Sequence, residues 1–275
     1  MRTSLQFIFE TAGVALSLSS LAAISANAAA LAALDHGTGN IYRIDTNQPG
    51  FATLIGHVPV GTDLYELVAP SADRFYTFDR DANLLITVSS SNAQLISSVA
   101  LDQDVFVSRR GFDLSPSGIL YGVLPGMQLR TINPTTGASI LLAPITGASR
   151  VEAIAFAPDG QLFASGSAGD DINSENLYRL NITTGVLTLV GATGFTDIDS
   201  LAFGTDGFLY GADSEDNLQG HLYRLNLQTG AGTDLGPSGV NGLNGLAGIP
   251  EPQTLALLGF GALTAMLRRR SHRWE

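Results

Sequence analysis

The chain predicts an all-β fold: a five-bladed β-propeller of four-stranded blades, closed by a C-terminal strand and flanked by an N-terminal signal peptide and a C-terminal apolar sorting helix. One strand motif recurs about every 45 residues, and a Gly-containing hairpin motif runs in phase with it. The repetitive region also opens and closes on complementary part-blades. Repeats of that length with four strands each are the signature of propeller blades.

The first motif is an alternating strand that ends in Asp or Asn before a turn, or a degraded form of it. It occurs as Ile41-Tyr42-Arg43-Ile44-Asp45, Leu84-Leu85-Ile86-Thr87-Val88, Leu129-Arg130-Thr131-Ile132-Asn133, Leu177-Tyr178-Arg179-Leu180-Asn181 and Leu222-Tyr223-Arg224-Leu225-Asn226. The starting residues are 43, 45, 48 and 45 apart. The second motif is strand, tight turn, strand, as in Ala155-Phe156-Ala157-Pro158-Asp159-Gly160-Gln161-Leu162-Phe163, with counterparts at 113–121 and 202–210 and a glycine-free copy at 68–76. Glycine supplies the positive φ that such turns need. Thr-Thr-Gly at 135–137 and 183–185, and Gln-Thr-Gly at 228–230, mark a further hairpin.

Four strands per unit follow, lettered A to D from the axis outward. Strand A precedes the Pro-Asp-Gly turn, and in the last full unit B is 209–212, C is 222–226 and D is 232–236. The region opens on a B strand, 31–35, with no A before it, and closes on an A strand, 242–248, with no B after it. The two ends complete one blade, which sets the number at five and removes free sheet edges from the closure.

These units, with Leu209-Tyr210-Gly211-Ala212-Asp213 as the clearest Asp-ended strand, resemble the blades of NHL-type and gluconolactonase-like propellers. The resemblance extends over residues 31–248 and implies an architecture, leaving activity open. In such rings ligands bind at the mouth formed by the D to A and B to C connections. The residues just before each A strand, Asp63, Arg110, Glu152, Asp199 and Asn244, are expected to point into that mouth. The B to C loops add Asp170, Asp171, Glu175, Asp213, Glu215 and Asp216. Oxygen donors on loops suit Ca²⁺, and Glu152, Asp199, Asp213 and Asp216 are the candidate ligands. Acidic residues also cap hairpins and keep proteins soluble, which is the commoner use.

Other motifs carry less. Asp79-Arg80-Asp81-Ala82-Asn83 opens like an EF-hand loop but lacks the Gly at position six and the Glu at position twelve, so a plain B to C hairpin is expected. His36, His57 and His221 have no metal-ligand spacing and are expected in exposed turns. No Gly-x-Ser-x-Gly elbow, His-Glu-x-x-His or P-loop is present. Tyr42, Tyr178 and Tyr223 recur at one repeat position, which points to packing between blades.

Both chain ends read as addresses. Met1-Arg2, the uncharged apolar stretch 12–24 and the small-x-small site Ala26-Asn27-Ala28 form a secretory signal peptide over 1–28 with cleavage at Ala26 and Ala28. At the other end stand Pro250-Glu251-Pro252, the apolar run 255–267 and Arg268-Arg269-Arg270. Thirteen helical residues span only about 20 Å against a bilayer core of about 30 Å. Three adjacent cations nevertheless suit the cytoplasmic end of an inserting helix, where they can snorkel and fix its orientation. That order of parts resembles the PEP-CTERM sorting signal. The resemblance implies recognition by an exosortase-type membrane enzyme and cleavage near Pro-Glu-Pro, within a sorting segment 249–275 that follows the propeller, 29–248. It also implies export, transient anchoring in the inner membrane, and a final place at the cell surface or outside the cell.

Composition narrows the partners. Residues 29–252 carry a formal charge of about −14, with arginine as the only basic residue apart from histidine, so nucleic acid is excluded as a natural partner. Cysteine is absent, so the exported domain rests on hydrophobic burial and strand pairing alone. With no catalytic constellation visible, the reading is a non-catalytic binding or structural protein of the envelope or exopolysaccharide matrix, with polysaccharide or an envelope protein as partner. The alternative is a metal-dependent hydrolase or lactonase acting at the acidic mouth.

Overall fold

The computed structural model describes residues 29–61, 63–102, 111–169, 174–213 and 219–249. The signal segment, the tail from 250 onward, Arg110, Asp170, Asp171, Glu215 and Asp216 lie outside the described residues.

Among the described residues twenty strands form five four-stranded antiparallel sheets. The closing blade holds β1 (Ala30–Asp35), β2 (Asn40–Asp45), β3 (Thr53–His57) and, innermost, β20 (Leu243–Gly248). The second blade is β4 (Leu64–Ser71), β5 (Arg74–Asp79), β6 (Leu84–Ser89) and β7 (Leu95–Ala100). The third is β8 (Phe112–Leu114), β9 (Leu120–Leu124), β10 (Gln128–Ile132) and β11 (Ser139–Pro144). The fourth is β12 (Arg150–Phe156), β13 (Leu162–Ser167), β14 (Asn176–Leu180) and β15 (Leu187–Ala192). The fifth is β16 (Ile198–Phe203), β17 (Leu209–Asp213), β18 (Gln219–Leu225) and β19 (Gly232–Asn241). Each blade follows chain order from the axis outward except the closing one, where β20 pairs with β1, as the part-blades at the two ends require.

Burial follows position in the blade. Strands one and two from the axis are buried almost throughout, whereas outermost strands such as β7 and β11 are largely exposed. Hydrophobic clusters lie between neighbouring blades: Tyr178 packs with Leu129, Ile145 and Val151, and Tyr223 with Leu177 and Ile198. Tyr42 is half-buried against the cluster that joins the closing blade to the fifth. The recurrent tyrosine is thus interblade packing.

Two glycine sets show how the repeat folds and how blades dock. In the A to B turns Gly118, Gly160 and Gly207 have φ of +79°, +88° and +81°, and a Cβ there would meet nothing. In the C to D turns Gly137, Gly185 and Gly230 also have positive φ, but a Cβ would lie 1.8, 2.0 and 2.4 Å from the carbonyl oxygens of Ala100, Pro144 and Gly191 in the preceding blade. The first set answers only to backbone conformation. The second lets one blade's turn press on its neighbour's outer strand. Asn133, Asn181 and Asn226 preform that turn, each Oδ1 accepting two backbone N–H groups at 2.8–3.1 Å.

Strand β19 runs five residues beyond the expected 232–236, because register shifts opposite His221 and Tyr223 let the strand continue past Gly236 and pair Asn241 with Gln219. Asp79 to Asn83 is the expected hairpin, with Asp79 Oδ1 accepting the Ala82 N–H at 3.0 Å. His36 lies in a turn as expected but is half-buried, stacking on Tyr65 at 5.6 Å, whereas His221 departs from expectation, sitting within β18 with Nδ1 3.0 Å from Asp234. Only His57 is exposed at a strand end.

Candidate functional site at the propeller mouth

The mouth is built by bulges. In β12, Val151 pairs with Gly166 and Ala153 with Ser165, so Glu152 is the extra residue. In β16, Ile198 pairs with Asp213 and Ser200 with Ala212, so Asp199 is extra. In β4 the pairing skips from Tyr65 to Val68, releasing Glu66, and in β20 it skips from Leu243 to Leu246, releasing Asn244. A bulge bends its strand and re-aims one side chain. Here it does so at matching places in four innermost strands, and the four side chains are 1–3% exposed. Glu66 adopts φ +56°, an αL conformation that costs a non-glycine residue about 1–3 kcal/mol. The bulges also interlock: a Cβ on Gly245 would lie 2.7 Å from the Glu66 carbonyl carbon.

Asp63 does not hold the position expected of it. The bulge of β4 falls inside an eight-residue strand, so Glu66 takes the axial place, while Asp63 pairs with Arg80 at 2.5 Å. Around the mouth, Arg150 forms an ion pair with Glu152 and lies 3.6 Å from Glu175 and 3.9 Å from Asp197. The Glu175 side chain is fully buried. Burial, reinforced by Glu152, pushes its carboxyl up to about 8 against the pull of Arg150. Burial likewise raises Glu66 well above the carboxylate range, with Asp199, Asp113 and Glu152 adding to it. These groups therefore feel one another's charge.

Side chains also stitch innermost strands to their neighbours. Ser165 Oγ donates to the Ile198 carbonyl at 2.9 Å, Ser200 Oγ accepts the Leu246 N–H at 2.8 Å, and Asp113 Oδ2 accepts the Phe156 N–H at 2.6 Å. Asp113 borders a cavity of about 160 Å³ at the far end of the axis, walled by residues of all five innermost strands. Desolvation pushes its carboxyl up to about 7. The repeat does carry a signal for it: Asp113 stands where the next two blades have Ala155 and Ala202. No comparable signal marks Glu66, because a bulge leaves no sequence trace.

Asp213 is placed differently. Its oxygens accept the Tyr223 hydroxyl and the His221 N–H of β18, each at 2.5 Å, so its charge is taken up by donors on the neighbouring strand. Asp35 caps its own turn, accepting Gly37 N–H, Thr38 N–H and the Thr38 hydroxyl. Of the four candidate Ca²⁺ ligands, the structure brings Glu152 and Asp199 to the axis and leaves Asp213 with its donors on β18; Asp216 is outside the described residues. Among the described residues no group of three or more His, Cys, Asp or Glu side chains is arranged to hold a metal ion.

Beyond the mouth, Gly248 ends β20, and residues 248–270 match the family model of the PEP-CTERM protein-sorting motif. The chain carries a PEP-CTERM sorting signal. The signal begins on the last residue of the closing strand, with no linker between the ring and the address. It marks the protein for export and for exosortase processing at the membrane. No helix among the described residues is long and apolar enough to cross a membrane, and 255–267 lies outside them.

Solved structures resemble the ring. A chain of a nidogen/laminin complex is 14% identical with a TM-score of 0.52, over 79% of this chain and 97% of that one. TolB from Acinetobacter baumannii is 14% identical with a TM-score of 0.52, over 81% and 67%. A protein provisionally named a gluconolactonase is 22% identical over 63% of each chain, with a TM-score of 0.39. At these identities the likeness is one of fold. No curated protein matches the chain in sequence.

Proposed function

We propose that this exported PEP-CTERM propeller is a non-catalytic binding or structural protein of the cell envelope or exopolysaccharide matrix. The observation that carries the reading is the state of the mouth. Glu66, Glu152, Asp199, Asn244 and Glu175 are all at most 3% exposed and are held by bulges, one another's charge and Arg150. A catalytic acid or base must reach its substrate directly or through one water, and side chains buried to this degree do not meet a substrate from the solvent. Binding then falls to the outer surfaces of the blades. The test is a glycan array probed with the fragment 29–249, together with recovery of bound envelope protein; binding to neither class would overturn the reading.

One observation favours a metal-dependent hydrolase or lactonase as a second reading: Asp199 and Glu152 add to the burial that raises the proton affinity of Glu66, and a divalent cation would relieve that repulsion. Calcium or zinc should then raise the melting temperature through Glu152 and Asp199. A parent protein unmoved by either ion removes this reading.

Sorting has its own check. The chain's one tryptophan is Trp274, beyond Arg268, Arg269 and Arg270. Cleavage near Pro250 to Pro252 leaves protein that emits from tyrosine alone, and indole emission from mass-verified envelope material would instead mean a retained anchor. Replacing the three arginines by Asn should impair processing in a host that carries the sorting enzyme.

A further inference from the structure

Ring closure places both chain ends on one face. The Ile249 N–H donates to the Ala30 carbonyl at 3.0 Å, and the Thr46 N–H donates to the Ala29 carbonyl at 3.1 Å, so both ends are tied to the same edge of the closing blade. That edge abuts the A to B turn of the fifth blade: a Cβ on Gly248 would lie 2.2 Å from the Phe203 carbonyl oxygen. Because the strands alternate in direction, all A to B and C to D turns share this exit face, opposite the mouth.

Exposed apolar residues divide in a telling way. Those on strands lie along the outermost strands, as Leu54, Ile96, Ile140 and Leu189 do. Those outside strands are Phe51 at 78%, Phe208 at 48%, Ile119 and Val186, and all four occupy A to B or C to D turns. The exit face thus carries every described large apolar residue exposed on a connection. Beside them are guanidinium groups without an ion pair to a described carboxylate. Arg224 stacks over the Phe208 ring at 4.8 Å, and Arg179 donates to the Leu227 carbonyl at 3.2 Å. Each lines a groove, of about 320 Å³ for Arg224 and about 470 Å³ for Arg179, within the size range of small-molecule sites. Leu227 borders the first of these grooves, so Arg179 links the two.

The length of chain beyond the ring says what faces this surface. Six residues, 249–254, separate the closing strand from the apolar run 255–267, and two of them are proline. Such a stem extends at most about 20 Å. We propose that, while the sorting segment is attached, the face bearing Phe51, Phe208, Arg179 and Arg224 rests on the membrane surface, its arginines among anionic phospholipid headgroups, and holds the mouth away from the bilayer. The proposal rests on the reading of 255–267 as membrane-inserting. Aromatic rings and arginines are the side chains that favour the headgroup layer, arginine adding about 1 kcal/mol on an anionic surface. Residues 29–252 carry about −14 net, and exposed Asp45, Asp73, Asp159 and Asp206 also stand at exit-face turns; Arg179 and Arg224, which make no ion pair with a described carboxylate, are the cations that this face can set against an anionic surface.

The chain has no cysteine, so single labels are simple to place. The chain 29–275 would carry a bimane on Gln228→Cys, in the exit-face groove, or on Ala82→Cys, in a mouth-face turn, and would be mixed with vesicles of phosphatidylethanolamine and phosphatidylglycerol in equal parts, doped with nitroxide lipid. In the floated fraction, quenching at 228 should exceed that at 82 several-fold, and Phe51→Ser with Phe208→Ser should bring it down toward the value at 82. Equal quenching at the two sites in floated protein would overturn the proposal. Equal quenching with and without phosphatidylglycerol would overturn the assignment to anionic headgroups. Failure to float would instead overturn the membrane reading of the tail, and this proposal with it. Melting curves that match the parent keep the variants interpretable.

Discussion

Carboxylates do opposite things on neighbouring inner strands at the mouth of this ring. Asp35, Asp79 and Asp213 stand at the ends of second strands and accept backbone N–H or hydroxyl groups, Asp35 and Asp79 from the turn that follows and Asp213 from β18. Glu66, Glu152 and Asp199 stand on bulges of the innermost strands, buried, with Asp199 and Glu152 adding to the rise in the proton affinity of Glu66. A carboxylate that receives donors stabilises the folded state in its ionised form. One buried among like charges stabilises it only when protonated or paired. The same residue type, a few ångströms apart, thus adds to stability in one place and strains it in the other.

The largest way to break this contrast is to remove a wall of the mouth. Deleting residues 243–249 takes out β20, with buried Leu243, Leu246 and Ala247, and frees the edge of β1. Two buried leucines alone account for at least about 3 kcal/mol, which at roughly 2–4 °C per kcal/mol lowers the melting temperature by about 10 °C relative to the fragment 29–249. An unchanged melting temperature would mean that the closure does not hold the ring.

A smaller effect is expected at the carboxylates that receive donors. Asp213→Ala leaves the Tyr223 hydroxyl and the His221 N–H without their acceptor, a cost of about 1–3 kcal/mol. Glu175→Gln should go the other way at pH 8, leaving stability unchanged or raising it, since it removes a buried charge facing Glu152. Chemical denaturation of both variants would decide the matter, and equal losses would erase the distinction between the two kinds of carboxylate.

The smallest effect is in the pH dependence. Glu66, Glu175 and Asp113 hold protons more tightly folded than unfolded, with Glu175 at about 8 and Asp113 at about 7. Stability from such groups is present below the unfolded carboxylate range and is lost as pH rises through the folded values, so the melting temperature should fall by a few degrees between about pH 5 and pH 8. Glu175→Gln should flatten the upper part of that decline. A parent whose stability rises over this window would show the axial acids to be fully paired as anions.

Much of this architecture was readable because its ingredients are local. Glycine at A to B turns, asparagine at C to D turns and alternating strands repeat in phase, and the orphan strands at 31–35 and 242–248 required the closure that β1 and β20 make. Glu152, Asp199 and Asn244 could be placed at the mouth because in those blades the strand starts expected from the repeat fall at or beside the bulge. Glu66 could not, since the start expected for β4 falls two residues before its bulge, and the residue before that start is Asp63.

The sequence by itself determined the repeat, the number of blades and the address at the C-terminus, because turn chemistry, alternation and a contiguous sorting motif are written in neighbouring residues. Tertiary structure alone decided which acids share the axis and which are satisfied by donors next to them, that Arg150 stands among Glu152, Glu175 and Asp197, and that Ala29 and Gly248 meet the fifth blade at Phe203 and Gly204. The reason is physical: a bulge costs one unpaired residue in a ladder that strand patterning cannot register, and burial and charge coupling exist only once five blades have closed around a common axis.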